Sequence, residues 1–192
     1  MHPLNRPKLI VSAVLAALVL AGCATTPEPA PGPEPTSAVE QWAALGATEL
    51  IDQLETLPLD ERPRDVLASI RQDEVVVSAA DGSREIAVPI QDGHYLSIAP
   101  YVDRTHDCFF HSLTTCTGEM GNEELTVTIV DDRTGEVYVD ETARANDNGF
   151  IGFWLPRDVA ATVTVTGVGR SAETTIQTGA DDLTCLTSLQ LT

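Results

Sequence analysis

Long apolar runs, lysine and aromatic residues are all scarce in this 192-residue sequence. The longest apolar stretch, Leu9 to Leu20, falls well short of the roughly 20 residues that a spanning helix needs. Lysine occurs once, at Lys8; Lys and Arg together number 11 against 29 Asp and Glu, a formal net charge of −18. So acidic a chain repels phosphate polymers and anionic lipid surfaces, which argues against a nucleic-acid partner. No Gly-rich phosphate loop and no C-x-x-C motif is present, and Ser97 and Ser112 lack any nucleophile context. Asp131-Asp132 and Asp181-Asp182 fall in turn positions and read as surface pairs rather than acid–base catalysts. These absences point to a binding protein rather than an enzyme.

The N-terminus reads as an export signal. Arg6 and Lys8 precede the apolar run, which ends in Leu20-Ala21-Gly22-Cys23. That ending resembles the lipobox of bacterial lipoproteins, so residues 1–22 are expected to be a signal peptide and Cys23 the lipidated first residue. Removing them leaves 9 basic against 29 acidic residues, a charge of −20. Residues 23–37, including T-T-P-E-P-A-P-G-P-E-P-T-S, form a proline-rich tether too poor in apolar residues to build a core. The mature protein is thus expected outside the cytoplasm, held to the membrane by lipid rather than by a helix.

The remaining chain divides by period. Trp42, Leu45, Leu50, Ile51, Leu54 and Leu57 recur at helical steps, which predicts a helix over Val39–Leu57 with Ser37 as its N-cap. A second helix is expected from Asp60 to about Arg71, with Pro63 in its first turn and Val66, Leu67 and Ile70 on one face. From Glu74 the period becomes two. Glu74–Ala79 and Arg84–Ile90 flank Asp81-Gly82, a strong hairpin signal. Further strands are expected at 94–102, 125–130, 136–143, 150–155, 162–168, 173–178 and 183–191. The expected class is α+β. A helical N-terminal region with a β-hairpin (38–91) precedes an antiparallel, Ig-like or prealbumin-like β-sandwich (92–192).

Chemistry concentrates in His94–Gly121. His106, Cys108, His111 and Cys116 fall inside eleven residues of it. With Cys23 lipidated, three thiols remain: Cys108, Cys116 and Cys185. An odd number outside the cytoplasm leaves two readings open. In one, Cys108 and Cys116 form a structural disulfide and Cys185 is a buried free thiol. In the other, all three converge on a soft ion, and a trigonal sulfur set suits Cu(I) better than Zn(II), which prefers four ligands. His106 shares a face with Cys108 if the segment is extended, and His111 needs a turn to join them. His94 is a weaker candidate. Phe109 and Phe110 could shield such a site or simply pack in the core.

Four stretches carry a resemblance: H-Y-L-S-I-A-P-Y, T-H-D-C-F-F-H-S-L-T-T-C-T-G-E, D-N-G-F-I-G-F-W-L-P and A-D-D-L-T-C-L-T. With the lead-in E-L-I-D-Q-L-E-T-L-P-L-D-E-R-P-R-D-V-L-A-S-I-R-Q-D-E, they resemble the CueP family of bacterial periplasmic copper-resistance proteins over residues 45–192. The resemblance implies a copper partner held as Cu(I), reduction of Cu(II) by thiols, hand-off to an envelope cuproenzyme, and a homodimer. It maps the family's cysteines onto Cys108, Cys116 and Cys185, and its histidines onto His106 and His111. The lipobox and tether depart from a soluble periplasmic protein. On this basis the three sulfurs are expected within about 4 Å of one another, with a Cys108–Cys116 disulfide as one state of the site. The alternatives are a thiol-disulfide or cupric oxidoreductase and a structural surface module with a staple disulfide.

Overall fold

The structure, a computed structural model, describes residues 37–192. The signal segment, Cys23 and all of the tether except Ser37 lie outside the described residues.

Ser37 caps α1 (Ala38–Ala43) in a reciprocal box: its hydroxyl accepts from the Glu40 amide, and the Glu40 carboxylate accepts from the Ser37 amide at 2.9 Å. The single helix expected over Val39–Leu57 is two helices. Gly46, at φ 80°, turns the chain out of the helical region, and α2 (Ala47–Thr56) starts beyond it. Leu50, Ile51 and Leu54 of α2 are fully buried.

The second expected helix is absent. Val66–Ile70 is a strand, β1, with Val66, Ala68 and Ile70 buried and Leu67 exposed. Positions four apart satisfy both the helical and the strand period, so Val66 and Ile70 did not discriminate between them. The β-branched residues at both ends and the partner strand do. β1 pairs antiparallel with β2 (Glu74–Ala79), which pairs with β3 (Glu85–Pro89) across the expected Asp81-Gly82 turn. There the Asp81 carboxylate accepts from the Ser83 amide.

Two further sheets follow. β5 (Glu124–Asp131), β6 (Val137–Arg144), β8 (Ala160–Gly167) and β9 (Arg170–Gln177) form an antiparallel sheet in the order β6-β5-β8-β9. β4 (His94–Ile98), β7 (Ile151–Leu155) and β10 (Cys185–Leu186) form the other, in the order β10-β4-β7. Leu125, Val127 and Ile129 of β5 and Ala161, Val163 and Val165 of β8 share one apolar core with Leu96, Ile98, Ile151, Phe153 and Leu155. Each large side chain buried there contributes about 1.5–3 kcal/mol. A second core lies among α1, α2 and the first sheet and takes in Tyr95 and Leu113.

The chain is therefore mostly β, with a short helical N-terminal segment and largely antiparallel sheets. Two details differ from expectation. The strand expected over 183–191 is two residues long, and it pairs parallel with β4 (Cys185 with Ser97, Leu186 with Ile98). The residues that follow pair through a bridge between Tyr101 and Gln190, and the Thr192 and Ser171 backbones exchange hydrogen bonds.

Candidate metal centre

The free edge of β1 fixes the loop that carries the chemistry. The Ile70 amide donates to the His111 carbonyl at 2.8 Å, the Leu113 amide donates to the Ala68 carbonyl at 2.9 Å, and Ser69 bridges Ser112. A helix at 66–70 would have spent those groups on itself; a strand leaves them for the loop.

Thr184 ties the loop to β10. Its hydroxyl donates to the Ile70 carbonyl at 2.8 Å and accepts from the His111 amide at 3.1 Å. The Thr184 and Cys185 amides both donate to the Phe109 carbonyl. These bonds carry Cys185 into the loop across a sequence separation of 77.

All five predicted residues meet in this corner. Cys108 and Cys185 are joined by a disulfide. Cys116 is the free thiol, with its sulfur 3.6 Å from that of Cys108. The bridge is thus not the Cys108–Cys116 pair expected from their closeness in sequence. A local turn, in which the Cys116 amide donates to the Ser112 carbonyl, aims Cys116 beside Cys108, and it is β10 that brings the bonding partner. His106, Cys108 and Cys116 bring one ligand atom each to within 4.8 Å of one another, as do His111, Cys116 and Cys185. His94 is in neither group. It is buried in β4, with Nε2 2.9 Å from the Leu183 carbonyl.

Charge here is set by one residue that sequence reasoning missed. Glu55 of α2 is 3 % exposed, and its carboxylate lies 3.0 Å from His111 Nε2. The Asn148 side-chain amide donates to the other oxygen at 3.3 Å. Burial alone would strip the proton from His111, but the Glu55 carboxylate and the Cys116 sulfur outweigh it and raise its pKa from 6.5 to about 9. Burial raises Cys116, yet the His111 ring and the Ser112 amide bring it down from 9.0 to about 7. The result is a thiolate-prone sulfur beside a charged imidazole. Glu55 carried one signal in the sequence: it stands one helical turn after Ile51, on the buried stripe of α2.

The shielding aromatic also differs. Phe109 is 49 % exposed, whereas Phe150 is fully buried with its ring centroid 4.4 Å from that of His111. Phe150 follows the tight turn at Gly149, at φ 80°, where a Cβ would sit 2.7 Å from the Gly118 backbone. Phe110 carries the Arg71 guanidinium 4.0 Å above its ring.

Soft sulfurs and imidazoles, with no carboxylate within the two ligand groups, fit copper better than a hard cation. The sequence model of the family described as "Periplasmic copper-binding protein CueP" matches residues 49–190. The chain belongs to the CueP family. The solved structure titled "Crystal Structure of S.CueP" is 40% identical, with a TM-score of 0.71, covering 77% of this chain and 89% of that one. No curated protein matches. CueP proteins bind copper in the periplasm, in keeping with a place outside the cytoplasm for this one. Among the described residues no helix is long and apolar enough to cross a membrane.

Proposed function

We propose that this CueP-family protein sequesters Cu(I) through Cys108, Cys116 and Cys185, with His106 and His111 in support, and passes the ion to a cuproenzyme of the cell envelope. The observation that carries the reading is the convergence of three sulfurs and a buried imidazole in one corner, in a chain of a copper-binding family. Three soft donors suit Cu(I); Zn(II) would want a fourth ligand. Lipid on Cys23 and the tether hold the protein at the membrane, and residues 92–192 form the Ig-like copper domain of a homodimer.

The bridge supports a redox half to this function. Closing Cys108–Cys185 from two thiols releases two electrons and two protons, which reduces two Cu(II) to two Cu(I). It also withdraws two thiolate ligands, so reduction and holding capacity are coupled.

Anaerobic competition of the reduced protein against a Cu(I) chelator tests the reading. Wild type is expected to hold one Cu(I) and Cys185→Ser to weaken it by at least about tenfold. Equal affinity would remove Cys185 from the site. Cu(II) reduction that stops once the thiols are consumed marks a binding protein; sustained turnover with added reductant marks an oxidoreductase instead.

A further inference from the structure

The two ligand groups share one sulfur and differ in access. In the outer group, His106 is exposed and lines an open cavity of about 220 Å3 with Arg104, Thr117 and Glu119. The rim of that cavity is held in shape by the Glu119 carboxylate, which accepts from the Val102, Asp103 and Arg104 amides at 2.7, 3.0 and 3.2 Å. In the inner group, His111 and Cys185 are fully buried, and Phe150 packs against the His111 ring. Cys116 belongs to both. The disulfide joins the unshared cysteine of the outer group, Cys108, to that of the inner one, Cys185.

Resting on the copper-binding reading, we propose that these groups are two stations of one route. Copper enters and leaves at the outer station, His106–Cys108–Cys116, and is retained at the inner one, His111–Cys116–Cys185.

The chemistry is ligand exchange with no change in oxidation state. The Cu(I)–Cys116 bond persists throughout. Bonds to His106 and Cys108 break as bonds to His111 and Cys185 form, the protons of the His111 Nδ1 and the Cys185 thiol passing to the departing Cys108 sulfur and to His106, so the ion never leaves sulfur. Each station has three donors, and the transit needs only a short shift about the shared sulfur, because the ligand atoms of each set already lie within 4.8 Å of one another. An exposed station exchanges quickly with an outside donor or acceptor but protects poorly. A buried one protects but exchanges slowly unless something feeds it. Closing the bridge disarms both stations together by taking one thiolate from each. Entry therefore depends on His106, and retention on His111.

Stopped-flow transfer between a Cu(I)–chelator complex and the full chain, reduced and anaerobic, tests this. His106→Gln sits on the surface, where the native ring meets the buried set through a tilted contact with Phe150, 6.4 Å between ring centroids. It is expected to slow capture and release about tenfold, with any shift in Kd smaller than that of His111→Gln. His111→Gln is expected to raise Kd about 10- to 100-fold with capture little changed. If His106→Gln leaves both rates unaltered, or shifts Kd as far as His111→Gln does, the route is wrong while copper binding stands. If wild type takes up no copper, the copper-binding reading falls and takes this route with it, an outcome that the His106→Gln rates alone never produce.

Discussion

His94 and His111 are both fully buried, and both reach the segment that carries Cys185. His94 takes the Leu183 carbonyl at 2.9 Å; His111 Nδ1 lies 3.8 Å from the Cys185 sulfur. Their charges differ. For His94, burial depresses the pKa below 6.5, the Leu183 carbonyl opposes this only in part, and Arg157 adds to the fall. Its Nδ1 has no hydrogen-bond partner. For His111 the same burial is overcome by Glu55 and Cys116. Depth in the protein therefore does not decide whether an imidazole is charged; a counter-charge at hydrogen-bond distance does. The neutral ring serves as a structural clasp, and the charged one sits where thiolates must be stabilised.

The largest test of that contrast is Glu55→Ala. It leaves the buried His111 charge without its partner, and is expected to destabilise the fold by about 3–5 kcal/mol in chemical denaturation. A loss below about 1 kcal/mol would mean that the pair carries no charge. Next is Cys185→Ser, which removes the covalent bridge and the sulfur beside the His111 ring while the Leu183 contact with His94 stays. Losing the bridge across 77 residues should cost about 2–4 kcal/mol. Adding reductant to wild type should reproduce most of that shift in the thermal midpoint. His94→Leu should cost less, about 1–3 kcal/mol, since it orphans one carbonyl but no charge. If it matches Glu55→Ala, the contrast fails.

The smallest effects are in the pH dependence, and there the two rings have opposite signs. The folded pKa of His111 lies above its unfolded value. Its contribution is complete below pH 6.5 and is lost as pH rises through about 9. The folded pKa of His94 lies below 6.5. Its contribution is present above that value and is lost as pH falls beneath it. Denaturation midpoints across pH 5 to 10 should therefore decline on both limbs. His94→Leu is expected to flatten only the acid limb, and His111→Leu only the alkaline one. Any variant that flattens the opposite limb would reverse the assignment of charge.

Some of this was legible in the sequence and some was not. The hairpin at Asp81-Gly82, the alternation of β5 and β8, and the Ser37 cap were written in neighbouring residues and appear where expected. β1 was misread because Val66 and Ile70 obey two periods at once, and that error hid the edge on which the His111 loop is hung. Gly46 was visible, but an isolated glycine within a helical pattern is often tolerated, so the break it makes was not. Glu55 was one acid among 29, marked only by its place one helical turn after Ile51.

By itself, the sequence determined the chemical inventory: three sulfurs and two imidazoles in the right neighbourhoods, strands by their alternation, and a family resemblance over most of the chain. Such signals are local, carried by side-chain type and by spacing over a few residues. Tertiary structure alone decided which sulfurs meet and which ring is charged. Cys108 reaches Cys185 across 77 residues, and His111 reaches Glu55 across 56. Those distances close only because β10 adds to β4 while α2 packs beneath the loop. In that buried corner the Glu55 carboxylate, placed 3.0 Å away, and the Cys116 sulfur together outweigh the cost of burying a charge.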